Sequence, residues 1–289
     1  MFKFAILGCE NSHANKFLSF VIKEKLYEDM EAVGVWSDEP EAVQKLVDEF
    51  GVYAMKTPDE LVGKIDALVV TARRGSDHYK LAKPYIESGI PMFIDKPITS
   101  DPAEAVEFMK VLKAGGVKVT GGSSLVHTER IQELKAAVEK DPALVFGGFL
   151  RAPVQYDSPY DGFYFYSMHL IQSMQEIFGY YPNSVKAFTK GKVYTVVVRY
   201  DSFDVVCEFV EGSYFYRAFA SVGKSFPGGD IPLADSAFKA EFDCLHDLLV
   251  GGEMTQSYRD FIAPVFLCEA IKKSIDTGEE ITVERPEEI

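Results

Sequence analysis

Residues 4–20 read FAILGCENSHANKFLSF, an apolar strand from Phe4 to Leu7 that runs through Gly8 into a helix-like stretch. A dinucleotide-binding βαβ unit places its G-x-G-x-x-G fingerprint at such a turn. Its glycines allow a tight turn, a close approach of pyrophosphate to the backbone, and close helix–strand packing. Here Gly8 holds the first position, but Glu10 stands at the second and His13 at the third. A carboxylate in this turn means either no cofactor or a cofactor held in another way.

Downstream, strand and helix alternate as a parallel sheet requires. Helical character runs to about Met30, and EAVGVWS reads as a second strand. PEAVQKLVDEFG is its helix, started by Pro40 and stopped by Gly51. GVYAMK reads as a short third strand, TPDELVG as a short helix, and IDALVVTA as a buried fourth strand. SDHYKLAKPYIESG, IPMFIDKP, DPAEAVEFMKVLKAGG and VKVTGGS continue the alternation. The strands are continuous apolar runs, as expected where helices cover both faces. The texture changes after about Ser123. HTERIQELKAAVEK is an amphipathic helix, ALVFGGFLRAP a strand, and PYDGFYFYSMHLIQSMQEIFG an aromatic loop leading into a helix. KVYTVVVRY, DVVCEFV and SYFYRAFA follow at short intervals and read as an antiparallel meander with hairpin turns at YDSFD and EGS. Both faces of KVYTVVVRY are apolar, so each needs cover, from helices or from a second copy of the chain. A helix ending at Gly278 and a short strand close the chain. The boundaries drawn are 1–122 for a dinucleotide-binding domain and 123–289 for an α/β domain serving substrate binding and oligomerisation.

Composition narrows the function classes. The net charge of −14 disfavours nucleic acid and anionic lipid as partners. No apolar run approaches the roughly 20 residues that span a bilayer, and the start lacks the pattern of a signal peptide. The four cysteines, Cys9, Cys207, Cys244 and Cys268, have no C-x-x-C spacing, which points to a reducing cytoplasm and to no metal site.

In a doubly wound sheet, ligands bind beyond the carboxyl ends of the strands. Those ends carry Gly8 to His13, Ser37 with Asp38, Thr71 to Arg74, Asp95 with Lys96, and Gly121 to Ser124. Lys96 follows an apolar strand and precedes Pro97, which favours an extended conformation and a fixed side-chain direction. An ammonium there can stabilise an alkoxide or donate a proton; a surface lysine near a turn is the alternative. His169 lies one turn beyond Phe165 and Tyr166 on its helix and titrates near neutrality, so it can take a hydroxyl proton or simply pack among aromatics.

Taken in order, FAILG, VVTARRGSDH, FIDKPIT, VTGGSSLVHTERIQELK, YFYSMHLIQSM and the C-terminal helix pair resemble the glucose–fructose oxidoreductase / inositol dehydrogenase (Gfo/Idh/MocA) family over nearly the whole chain. The resemblance implies an α/β fold: an N-terminal Rossmann doubly wound parallel sheet, then an α/β domain with an open, mostly antiparallel sheet. It implies NAD(P)-dependent hydride transfer on a sugar, polyol or related hydroxy compound. Lys96 matches the lysine of the family's E-K-P motif, with Asp95 replacing the glutamate. His169 matches its helix histidine, and His78 the histidine after its T-P-x-x-x-H strand. Candidate catalytic residues are thus Lys96, His169 and Tyr166. Candidate cofactor contacts are Gly8, Glu10, Asn11, Ser12, His13, Ser37, Asp38, Thr71, Ala72, Arg73, His78, Asp95 and Lys96. Candidate substrate contacts are Ser123, Arg151, Tyr164 and Phe165.

The departures are as informative as the matches. Glu10 needs to turn to solvent or pair with a base, while Asn11 or Ser12 can still cap the helix and His13 can add a cation. Thr71 and His78 are seven positions apart, where the family pattern has five. The extra residues bring Arg73 and Arg74 to the ligand edge, to neutralise Glu10, to touch the cofactor or merely to be solvated. Ser37 stands where NAD-preferring relatives have aspartate; Asp38 follows it and no arginine neighbours it, which leans toward NAD over NADP. Phe165 replaces an aspartate common in the family, leaving Tyr166 as proton donor or as pocket wall. Two readings result: a cytoplasmic, homo-oligomeric oxidoreductase, or a non-catalytic sugar, metabolite or dinucleotide sensor. A hydrolase or isomerase finds no nucleophile–base pair or metal cluster.

Overall fold

A computed structural model describes residues 1–289. The chain divides into two compact units, residues 1–122 with 238–258 and 289, and residues 123–237 with 259–288.

The first unit begins with β1 (Phe2–Leu7), α1 (Ser12–Leu18), β2 (Met30–Trp36) and α2 (Pro40–Phe50). β3 (Ala67–Val70), α3 (His78–Ala82), β4 (Met92–Asp95), α4 (Pro102–Ala114) and β5 (Val119–Gly122) follow. The five strands form one parallel sheet in the order β2-β1-β3-β4-β5, whose reversal at β1 creates a crevice beyond the strand ends. Local rules explain most boundaries. Pro40 opens α2 and Gly51, in the left-handed region, closes it. Asp101 caps α4 by accepting the Glu104 N–H at 2.8 Å, and Pro102 opens the helix.

Three local readings need correction. The helix after β1 is shorter than the pattern suggests: α1 passes into a π-turn over Ser19–Lys23, and Lys25 takes a positive φ of 53°. GVYAMK contributes only a bridge between Ala54 and Val35, so the strand leading to Thr71 is the third of the sheet rather than the fourth. TPDELVG is a run of turns, closed by i to i+3 bonds such as Val62 N–H to the Asp59 carbonyl at 3.1 Å. Seven residues offer too little propagation to repay helix nucleation without a buried face.

The second unit contains α5 (Glu129–Lys140), β6 (Val145–Val154), α6 (Tyr164–Phe178), β7 (Ser184–Lys190), β8 (Val193–Arg199), β9 (Asp204–Glu211), β10 (Arg217–Val222) and β11 (Gly228–Asp230). α7 (Asp235–Leu249) leaves it for the first unit, and most of α8 (Tyr258–Thr277) and β12 (Glu280–Thr282) complete it. The sheet order is β11-β10-β6-β9-β8-β7-β12. The meander is therefore interrupted. β8 and β9 are hairpin neighbours, but β6 lies between β9 and β10, parallel to the former and antiparallel to the latter. The EGS link crosses the end of β6, which stops at Val154 opposite Glu211, so it spans only two strand spacings. Alternation then sorts the side chains. Leu150, Ala152, Val196, Val198, Val205, Cys207 and Ala218 are buried on the face covered by helices, whereas Phe149, Val193, Val197, Val206 and Phe219 on the other face are half-buried.

The second boundary is also amended: 123–289 is not one uninterrupted domain. Phe238, Phe242 and Leu245 repeat along one face of α7 and enter the core of the first unit with Phe4, Phe17 and Tyr27. The Phe17 and Phe242 rings lie 4.6 Å apart.

Candidate active site

The turn after β1 is built around a close backbone approach. Gly8 has φ of 78°, and a Cβ placed there would lie 2.3 Å from the Ala72 Cα and N, so no other residue fits. Thr71, fully buried at the end of β3, donates its hydroxyl to the Gly8 carbonyl at 2.8 Å. Asn11 caps α1: its Oδ1 accepts the His13 N–H at 2.9 Å, while its Nδ2 donates to Asp95 Oδ2 at 3.0 Å and to the Thr71 carbonyl. One asparagine thus ties together the ends of β1, β3 and β4.

Glu10 turns across the strand ends instead of into solvent. Its Oε2 accepts the Ser37 hydroxyl at 2.8 Å, and its Oε1 accepts the Arg73 backbone N–H at 2.9 Å. The Arg73 guanidinium donates to the Glu10 carbonyl and lies 3.2 Å from Glu39 Oε1. Arg73 therefore engages Glu10 through backbone groups, while its charge is paired with Glu39. Ser12, Asp38 and Arg74 are exposed.

Two histidines expected at the ligand edge lie inside. His13 packs among Phe17, Phe93 and Phe238, with its ring centroid 5.1 Å from that of Phe238. The third fingerprint position faces the interior where helix meets strand, so a longer side chain there is directed into the core and away from a ligand. His78 is fully buried, and its Nε2 lies 2.7 Å from the Ala72 carbonyl, which fixes the loop after β3.

His13 belongs instead to a buried charge cluster. Its Nδ1 lies 3.3 Å from Asp95 Oδ2 and its Nε2 3.1 Å from Glu241 Oε2 on α7. Glu241 is fully buried, and neither carboxylate oxygen accepts a well-formed hydrogen bond. Burial pushes its pKa up to about 7, against the pull of the His13 charge. Burial pushes the His13 imidazolium down, but the Asp95 and Glu241 carboxylates outweigh it and hold its pKa above the ordinary value. Asp95 also accepts the Lys96 N–H at 2.6 Å, fixing the backbone at the lysine. Burial lowers the Lys96 ammonium pKa, opposed by the same two carboxylates. Glu241 is absent from the sequence-derived set. Its signal was a charged residue on the apolar face of an amphipathic helix, between Phe238 and Phe242.

In the second unit, His169 Nδ1 lies 2.7 Å from the Ser123 hydroxyl, which also accepts the Leu125 N–H at 3.3 Å. Tyr166 and Tyr216 flank the imidazole, with ring centroids 6.2 and 6.1 Å away. Tyr216 could not be found by spacing, because it lies 47 residues after His169, just before β10, and meets the imidazole only through the fold. Phe165 stacks edge-on with Tyr166 and lies 5.2 Å from Tyr160. Tyr164 is buried, and its hydroxyl donates to Glu269 on α8 at 2.8 Å, so it belongs to helix packing. Arg151 is also displaced from its expected role. It alternates with the helix-covered Leu150 and Ala152, lies on the opposite face of the sheet from α6, and pairs with Glu208 at 3.0 Å. No group of three or more His, Cys, Asp or Glu side chains is arranged to hold a metal ion. No helix is long and apolar enough to cross a membrane.

Residues 2–123 match the model of GFO_IDH_MocA, described as an oxidoreductase family with an NAD-binding Rossmann fold. Over this segment, 122 of the 289 residues, the chain is similar to the Gfo/Idh/MocA family. Solved structures extend the likeness to the whole fold. A myo-inositol dehydrogenase from Corynebacterium glutamicum ATCC 13032 superposes with a TM-score of 0.81 at 18% identity, covering 98% of this chain and 99% of that one. An apo scyllo-inositol dehydrogenase from Lactobacillus casei gives 0.83 at 13% identity, covering 98% of each. An oxidoreductase from Agrobacterium radiobacter, solved with NAD+, L-tartaric acid and magnesium, gives 0.78 at 14% identity and the same coverage. No curated protein sequence matches the chain. Gly8 keeps the first place of the dinucleotide fingerprint for the tight turn it makes, since a Cβ there would collide with the Ala72 backbone.

Proposed function

We propose that this chain is an NAD(P)-dependent oxidoreductase acting on the CH–OH group of a sugar, polyol or related hydroxy compound. The observation that carries the reading is the tie between Asn11 of the β1 turn and Asp95, whose carboxylate in turn fixes the Lys96 backbone. The lysine of the E-K-P-like motif is thereby held in register with the turn that would receive the cofactor. Gly8, Glu10, Asn11, Ser37 and Arg73 would hold the dinucleotide, whose nicotinamide supplies or accepts a hydride when bound. Lys96, with its ammonium pKa lowered by burial, stabilises a developing alkoxide and passes it a proton. His169, oriented by Ser123, serves as the proton-handling imidazole when its Nδ1–H donates to the serine and Nε2 keeps its lone pair. Tyr166 and Phe165 offer aromatic surface to a sugar's apolar face.

Titration with NADH and NADPH by nicotinamide fluorescence, followed by turnover across a polyol and sugar panel, tests this reading. We expect micromolar binding of at least one dinucleotide and turnover that Lys96→Met lowers at least about a hundredfold. No binding of either dinucleotide at millimolar concentration rejects it. A second reading, a sensor that binds without turning over, is favoured by Phe165 at the place of the family's aspartate. Binding without turnover on the whole panel supports it. A homo-oligomer formed through the outer sheet face accords with half-buried Phe149, Val197 and Phe219 and exposed Phe188 and Phe226.

A further inference from the structure

We infer that Glu10 is the residue that selects NAD over NADP, supplying from the β1 turn the ribose-binding carboxylate that other Rossmann proteins carry at the end of β2. This rests on the proposed dinucleotide binding.

In an NAD-preferring Rossmann unit, an Asp or Glu roughly 20 residues past the glycines accepts hydrogen bonds from the adenosine ribose, and its charge repels a 2′-phosphate. Here that position at the end of β2 is Ser37, which cannot supply a charge. The carboxylate is nevertheless present in space. Glu10 Oε2 lies 2.8 Å from the Ser37 hydroxyl, so the charge sits beside the place from which the side chain is missing. Its position is fixed at both oxygens, by Ser37 on one and the Arg73 N–H on the other. A carboxylate offers about four acceptor positions, so one on each oxygen stays available to a ribose diol. Ser37 is itself held, since its hydroxyl accepts the Glu39 N–H at 3.1 Å.

The cation that could reverse this preference is already engaged. A 2′-phosphate site needs an arginine, and Arg73 is the one anchored at this edge. Its guanidinium pairs with Glu39 and donates to the Glu10 carbonyl. The same contacts explain how a glutamate is tolerated at the second fingerprint position: it leaves the pyrophosphate path by turning toward β2.

Three ligands on the full-length protein test the assignment: NADH, NADPH and 2′-deoxy-NADH, each titrated by nicotinamide fluorescence. For the wild type we expect NADH to bind about tenfold or more tightly than either of the others. In Glu10→Gln both ratios shrink several-fold, because the charge and one acceptor set are lost while shape is kept. The wild-type comparison of NADH with 2′-deoxy-NADH needs no variant and stands even if Glu10→Gln misfolds. Wild-type ratios near one, or ratios unchanged in Glu10→Gln, overturn the inference while leaving cofactor binding intact. So does equal tightening of NADH and NADPH in Glu10→Ala, which would make Glu10 an occupant of the site and not a reader of the ribose. Failure of every dinucleotide to bind the wild type removes the proposed function together with the inference.

Discussion

The buried Glu241 makes the first unit's stability depend on pH in a direction opposite to that of an ordinary acid-labile protein. Its carboxyl rises from 4.5 to about 7 on folding, because burial penalises the charged form. At 1.36 kcal/mol per pKa unit, the change is worth about 3 kcal/mol between protonation states. The folded value is the higher one, so the native protein keeps a proton that the unfolded chain has released, and the folded state loses stability as pH rises from below 4.5 through about 7. Between pH 5.5 and 8 the linkage integral gives a loss of roughly 2 kcal/mol. His13 acts with the same sign: its raised value lets the native state hold a proton that the unfolded chain gives up above 6.5. Asp95 and Lys96 are the other charges facing the pair, with Cys244 near Glu241 on α7. Glu241→Gln removes the titrating carboxyl and leaves His13 with Asp95 alone to hold its charge against burial, so the slope flattens or reverses. The assay is urea unfolding at pH 5.5, 7 and 8, followed by fluorescence of Trp36. It is the chain's single tryptophan and lies on β2, so it reports the first unit specifically. A wild-type stability that is flat or increases with pH, or a Glu241→Gln slope equal to that of the wild type, would refute the reasoning.

Three further outcomes follow from particular contacts. Gly8→Ala forces a Cβ to 2.3 Å from the Ala72 backbone at a positive φ, and should cost about 2–4 kcal/mol in the same Trp36 unfolding assay. Ser123→Ala removes the hydroxyl beside His169 Nδ1; kcat/KM on any substrate found should fall about tenfold with a displaced acidic limb of the pH–rate profile, while NADH affinity stays within about twofold. Phe188→Asp places a charge on the outer sheet face; light scattering should report a smaller assembly than the wild type, and an unchanged mass would argue against oligomerisation through that face.

Much of the molecule was written locally. Strand–helix alternation, Pro40, Gly51, Asp101 and Pro102 marked elements whose boundaries depend on neighbouring residues alone, and the apolar runs declared a sheet covered on both faces. FAILG and IDKP likewise marked two strand ends that meet on one edge of the sheet, because strand ends in a parallel sheet share one side. What spacing could not supply was pairing across distance. GVYAMK and TPDELVG carried element-like patterns, but the first found only one bridge and the second no buried face. The break in the meander was invisible because β6 ends at Val154, far in sequence from β9 and β10, which begin at Asp204 and Arg217. Direction of side chains was equally hidden. His13 and His78 point inward, Arg151 lies on the far face of its sheet, and Glu10 turns toward Ser37, because these depend on what other segments leave room for. The residues of the β1 turn are legible in the sequence; that the Glu10 carboxylate turns onto Ser37 at the end of β2, and that His13 meets Glu241 from a helix returning more than two hundred residues later, was decided only when the chain folded back on itself.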